Sequence, residues 1–132
     1  MKIIELIGIK TDDNTLPSLT LCENNQNHIG TMHAGAQFIL AEMASGVYLS
    51  SLFPELKDKI IPLMRHSCIK YKKTAFGTIT TYPYLSDEEK ERFKTQFSKK
   101  SRGTIEVEVT LKDEDDEIVS IGSFTWFIQK RE

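Results

Sequence analysis

The chain has 132 residues, with 17 basic against 19 acidic side chains, 39% hydrophobic residues and 27% charged ones. This length suits a single domain, 1–132, that buries its own core, and the composition excludes disordered and membrane-spanning classes. A net charge of −2 supplies no global field for nucleic acid, so none is expected as a partner and any anion site must be local.

Segments 2–10 and 18–23 are rich in Ile and Leu and bounded by polar residues, which predicts two short strands. Lys2, Ile3 and Ile4 open like a secretory leader, but Glu5 interrupts the apolar run and no small-residue cleavage site follows. A cytoplasmic protein is expected. A polar loop covers Glu23 to His28. From Ala34 to Phe53 the chain is apolar nearly all round, with Glu42 as its one charge, so it predicts a helix wrapped by other structure. Its three serines, Gln37 and Glu42 make it too polar for a membrane span.

Four further strands are predicted over 64–73, 76–84, 103–112 and 117–128. In the third of these, Ile105, Val107, Val109 and Leu111 alternate with Glu106, Glu108 and Thr110, so one face is buried and the strand lies near an edge or an exposed face. Phe124, Trp126 and Ile128 share one face of the last strand, with Thr125 and Phe127 on the other, and both faces are expected to be covered. Ser86 followed by Glu89 reads as a capping box, opening a short surface helix with acids at its start and Lys99 and Lys100 near its end. Strands grouped after a helix, rather than alternating with helices, give an α+β protein in which an antiparallel sheet wraps one long central helix. The helix's other side then needs a partner. Cys22 and Cys68 show no disulfide or zinc spacing and are expected to be reduced and buried.

The stretch 27–46, NHIGTMHAGAQFILAEMASG, carries the chemistry. An unpaired Glu42 inside an apolar helix is costly, so it is hydrogen-bonded, protonated, or open to a wet cleft; a hydrogen bond to a hydroxyl such as Ser45 is the structural alternative. Gly30, Thr31, His33, Ala34 and Gly35 lead into the helix N-terminus, whose free N–H groups suit a developing oxyanion, although small residues also favour any tight helix entry. Ala34 and Glu42 lie eight residues apart, about 12 Å along a helix, too far to act on one carbonyl. Two antiparallel helices at a two-fold axis would bring each N-terminus to the other chain's Glu42.

Asn27, His33, Ala34, Gly35 and Glu42, at these spacings, resemble the Asn…His-Gly-Gly…Asp pattern of hotdog-fold acyl-CoA thioesterases, with the phenylacetyl-CoA thioesterase-like branch nearest. The resemblance implies a hotdog fold and hydrolysis of an acyl-CoA thioester. Coenzyme A would enter only as part of the substrate, with no metal or redox cofactor, in a dimer or tetramer. It implies that Glu42 is the nucleophile or the base that activates water, and that the Ala34 N–H polarises the carbonyl beside Gly35. Asn27 would position the water or the partner's carboxylate, His33 would orient the thioester or the loop, and Ser45 would assist the water. Ala34 departs from the first glycine of the pattern and Glu42 from its aspartate. A hotdog hydratase or dehydratase, and an acyl-CoA binding module without turnover, are the other readings.

Two basic clusters, Lys70, Lys72 and Lys73, and Lys99, Lys100 and Arg102, are candidates for the phosphates of coenzyme A, or equally a solvated strand edge and helix end. His28, His33 and Glu42 match no metal-ligand spacing. His66 opens a strand from which it could reach the site mouth.

Overall fold

In the computed structural model, which describes residues 2–12 and 15–132, the elements in chain order are α1 (Ile3–Ile7), β1 (Lys10–Asp12), β2 (Thr15–Thr20), α2 (Ala34–Leu52), β3 (Ile60–Tyr71), β4 (Thr78–Tyr84), α3 (Asp87–Lys100), β5 (Arg102–Lys112) and β6 (Ile118–Lys130). The strands form one antiparallel sheet in the order β1-β2-β4-β5-β6-β3. The long helix lies across β2, β4, β5 and β6. This is the α+β arrangement, a sheet wrapped around one helix, that the hotdog resemblance implies.

The α2 helix approaches the sheet closely because the residues it turns inward are small. Ala36, Ala41 and Ala44 are buried beside Leu40 and Leu49. They meet Leu19, Ile79, Phe124 and the alternating set Ile105, Val107, Val109 and Leu111, all without exposed surface. Full burial of each of those side chains stabilises the fold by about 1.5–3 kcal/mol. The opposite side of the helix, with Ile39, Glu42, Met43 and Gly46, is only half-buried.

The segment 2–10 is not a strand. Ile4 and Ile7 turn inward one helical turn apart, and Gly8 at φ 89° ends α1 with its N–H on Glu5 O while Ile9 N–H reaches Ile4 O. Gly8 is a helix stop that β-branched isoleucines disguised as a strand boundary. The second strand runs over 15–20 rather than 18–23, and β3 starts four residues earlier than expected.

β5 pairs β4 only through its second half, from Glu108 to Lys112. Along its first half α3 takes the place of a neighbouring strand. Gln96 Oε1 accepts from Thr104 N at 3.1 Å, Glu89 Oε2 from Glu106 N at 2.9 Å, and Arg92 donates to Thr104 O at 2.6 Å. An otherwise open edge is thereby satisfied. Ser86 does accept from Glu89 N at 3.1 Å, but the Glu89 carboxylate goes to Arg92 and the β5 edge, so only half of the capping box forms.

Two burial expectations fail. The outer face of β6 is half-exposed at Thr125 and Phe127, the latter covered by the Arg65 guanidinium at 4.3 Å from its ring. Cys22 and Cys68 are free but exposed, one just beyond the end of β2 and the other in the edge strand β3.

Candidate functional site

Asn25 builds the entry to α2, although nothing in its sequence context marks it. Its side chain is buried. Oδ1 accepts from Cys22 N at 2.9 Å, and Nδ2 donates at 3.0 Å to both Ile7 O and Thr20 O. Its carbonyl takes His33 N–H at 2.7 Å. Asn27 then closes the next turn: Oδ1 accepts from Ile29 N and Thr31 N, both at 3.0 Å, and Nδ2 meets Thr31 Oγ1 at 2.6 Å. Gly30 at φ 82° supplies the left-handed residue that turn needs. Asn27 therefore holds the loop in this structure. Met32 N–H on Ala75 O ties the loop to the β3–β4 connection.

His33 is the N-cap of α2. Its Nδ1 accepts from Gly35 N at 2.8 Å, which in the neutral ring leaves the proton on Nε2, and the residue is exposed. A Cβ on Gly35 would stand 3.1 Å from Nδ1, so glycine there lets the imidazole fold back over the first turn. The Ala34 N–H has no hydrogen-bond partner among the described residues. The Ala34 carbonyl accepts from Tyr71 Oη at 2.9 Å, which fastens the helix entry to the end of β3. Tyr71 had no motif to reveal it, and only the fold brings 34 and 71 together. His33→Ala is expected to lower stability by about 1 kcal/mol in urea unfolding, and His33→Asn to keep most of the cap.

Glu42 lies two turns further along. Its carboxylate makes no hydrogen bond or ion pair among the described residues, and burial raises its pKa above the ordinary glutamate value. Ser45 and Gly46, one turn on, share its flank and meet Trp126: the indole N–H donates to Ser45 Oγ at 2.9 Å, and a Cβ on Gly46 would stand 3.4 Å from the ring. The Ser45 hydroxyl donates in turn to the Glu42 carbonyl at 2.6 Å. Ser45 is fully enclosed, so its hydroxyl locks α2 to β6 instead of facing a cleft with the Glu42 carboxylate.

The two basic clusters stand at opposite ends of the sheet. Lys70 pairs Ile121 and Tyr71 pairs Ser120, beside the start of α2, whereas Arg102 pairs Gln129. The nine residue steps along β6 from Ser120 to Gln129 span about 30 Å. Within one chain the clusters are not one site. Lys73 is held by Asp113 at 3.2 Å and by Glu117, and these hydrogen bonds raise its pKa. Lys70 and Lys72 are exposed. His66 stands opposite Thr125, on the sheet face turned away from Trp126 and α2, so it does not reach the helix entry. Among the described residues no three His, Cys, Asp or Glu side chains converge as metal ligands, and no helix is long and apolar enough to cross a membrane.

Solved structures share this architecture. A protein of unknown function from Pseudomonas aeruginosa, described as a probable thioesterase, is similar over 99% of this chain and 89% of its own, with TM-score 0.80 and 23% identity. A Bacillus halodurans protein solved with CoA matches over 96% of this chain and 74% of its own, with TM-score 0.72 and 19% identity. A mutant thioesterase enzyme from Staphylococcus aureus matches over 96% of this chain and 98% of its own, with TM-score 0.69 and 16% identity. No curated protein sequence matches. At these identities the likeness is one of fold, and that fold is the hotdog. The family profile for a domain of unknown function, DUF4442, matches residues 11–128, nearly the whole sheet and all of α2 and α3, and the chain belongs to that family.

Proposed function

We propose that this protein hydrolyses an acyl-CoA thioester to a carboxylic acid and free CoA. The observation that carries the reading is the Glu42 carboxylate: half-buried, raised in pKa by burial, and carried on a helix where, among the described residues, neither it nor the Ala34 N–H has a hydrogen-bond or ion-pair partner. A carboxylate in that state is suited to take a proton from water near neutral pH. Hydroxide equivalent to that water adds to the thioester carbonyl, whose oxygen accepts from the Ala34 N–H, and collapse of the adduct expels the CoA thiolate. Likeness to solved thioesterases, and to a protein solved with CoA, supports the same reading.

Ala34 and Glu42 of one helix are about 12 Å apart, so the reading requires Glu42 of the partner subunit at each Ala34. The sheet edge at β3 supports self-association. It is twelve residues long and open on one side, with Ile61 and Leu63 exposed, although Pro62, the irregularity between Met64 and His66, and the cations Arg65 and Lys70 interrupt it. Light scattering is expected to give at least twice the 15.1 kDa chain mass; a monomer at micromolar concentration that still turns over acyl-CoA would remove the composite site. Lys70 and Lys72, next to Tyr71, are the cations at the helix entry that would meet the CoA phosphates. Thiol release from a panel of acyl-CoAs tests the activity. Tight acyl-CoA binding with no thiol released from any chain length would turn the reading to a binding module, and loss of enoyl absorbance without thiol release would turn it to a hydratase.

A further inference from the structure

The end of the sheet remote from Ala34 holds a second feature that the hydrolytic reading does not use. Where α3 ends, β5 begins and β6 ends, the chain lines an open hollow of about 240 Å³ whose rim carries Lys100, Arg102, Lys130 and Arg131, with Glu132 as the acidic residue of its lining. None of these four cations forms an ion pair among the described residues, unlike Lys73, Arg92, Lys94 and Lys112. The backbone beneath them is fixed. Ser101, at φ 57°, donates its N–H to Phe97 O at 2.8 Å and accepts Lys130 N–H at 2.9 Å, while Arg131 N–H reaches Lys59 O at 2.8 Å.

Helix termini explain only part of this. The C-terminus of α3 presents about half a negative charge, which Lys99 or Lys100 alone would balance. The cations that converge beyond this requirement repel one another, and an anion with more than one charge relieves that repulsion. Two of the four are arginines, whose planar forks bind phosphate oxygens in pairs. The geometry points to a phosphate-binding cradle here, formed by Arg102, Arg131, Lys100 and Lys130, for a small molecule carrying two adjacent phosphate groups. The phosphates can come from a free diphosphate ligand. They can also come from a CoA thioester whose acyl end lies in a neighbouring subunit, since a two-fold pairing of antiparallel β3 edges sets the Ile60 end of one chain beside the Tyr71 end of the next.

The test is calorimetric titration of the whole chain with inorganic pyrophosphate and with adenosine 5′-diphosphate. Wild type binds both, and R102Q/R131Q binds at least tenfold more weakly, while K10Q/K94Q, which removes the same charge from exposed positions elsewhere, binds as wild type does. Absence of binding to wild type, or equal weakening in the two double variants, overturns the cradle. All these side chains are exposed, and thermal melts serve to check that the variants stay folded. The titration needs no turnover, so it stands whether or not hydrolysis is observed. The source of the phosphates is read from KM. A rise for acyl-CoA but not for acyl-pantetheine, which lacks the nucleotide, identifies the substrate; unchanged KM values with pyrophosphate binding lost identify a separate diphosphate ligand.

Discussion

Glu42→Gln is expected to lower thiol release from acyl-CoA by about 10²–10⁴-fold, the range for removal of a general base, with little change in KM. The amide is nearly isosteric, and the Ser45 hydroxyl contacts the backbone carbonyl of Glu42, which the substitution leaves in place. The pH dependence separates a catalytic loss from a structural one. Burial raises the Glu42 pKa, so the folded chain binds this proton more tightly than the unfolded chain does. The ionised carboxylate therefore opposes folding above its raised pKa, and that opposition fades as pH falls through it. At pH 7 the Gln variant is as stable as wild type or more so, and the two converge in acid, once Glu42 is protonated both folded and unfolded. Activity runs the other way: wild-type turnover rises with pH through the same titration. Equal turnover in both chains at pH 7 removes Glu42 from the mechanism.

Asn25→Ala is expected to be the most damaging polar substitution for stability. It deletes a buried amide that serves Cys22 N, Ile7 O and Thr20 O together, and leaves those backbone groups without that partner. With about 1–3 kcal/mol for each buried group left unsatisfied and partial recovery by water, the loss is about 3 kcal/mol, or about 10 °C in Tm for a chain of this size. Because the Asn25 carbonyl also receives His33 N–H, the helix entry loosens with it, and turnover at a temperature where the variant remains folded should fall as well. Urea unfolding gives the first quantity and thiol release the second. A Tm within 2 °C of wild type would show that the loop is held by Asn27 and Thr31 without Asn25.

These two residues differ in how they could be found. Glu42 was visible because a charge in an otherwise apolar helix is anomalous at the level of residue pattern, and its distance from Ala34 follows from helical rise alone. Asn25 was invisible: it is an ordinary loop residue until the end of α1 and the end of β2 are brought against it. The same division runs through the rest of the chain. The alternation in β5 and the apolar run of α2 are local periodicities, so their elements were legible to within a residue or two. Segment 2–10 was misread because isoleucine's preference for strands outweighed a spacing that also fits one helical turn, and Gly8 decides between them only once its left-handed conformation is seen.

By itself the sequence determined an α+β chain with a near-neutral charge balance, a buried central helix with a lone carboxylate, and a small-residue entry to that helix at Ala34 and Gly35. Those follow from composition, period and nearest-neighbour chemistry. Only the tertiary structure decided which polar groups are already engaged. Ser45 is taken by Trp126, 81 residues away; Lys73 is held by the β5–β6 turn; Tyr71 fastens Ala34. It also decided that the two lysine-rich clusters face opposite ends of one sheet, because strand register, which depends on long-range pairing, sets the distance between residues that composition alone treats as equivalent. What began as a near-neutral chain with any anion site local becomes a chain with two separate basic ends, one beside the helix entry and one around Arg102 and Arg131.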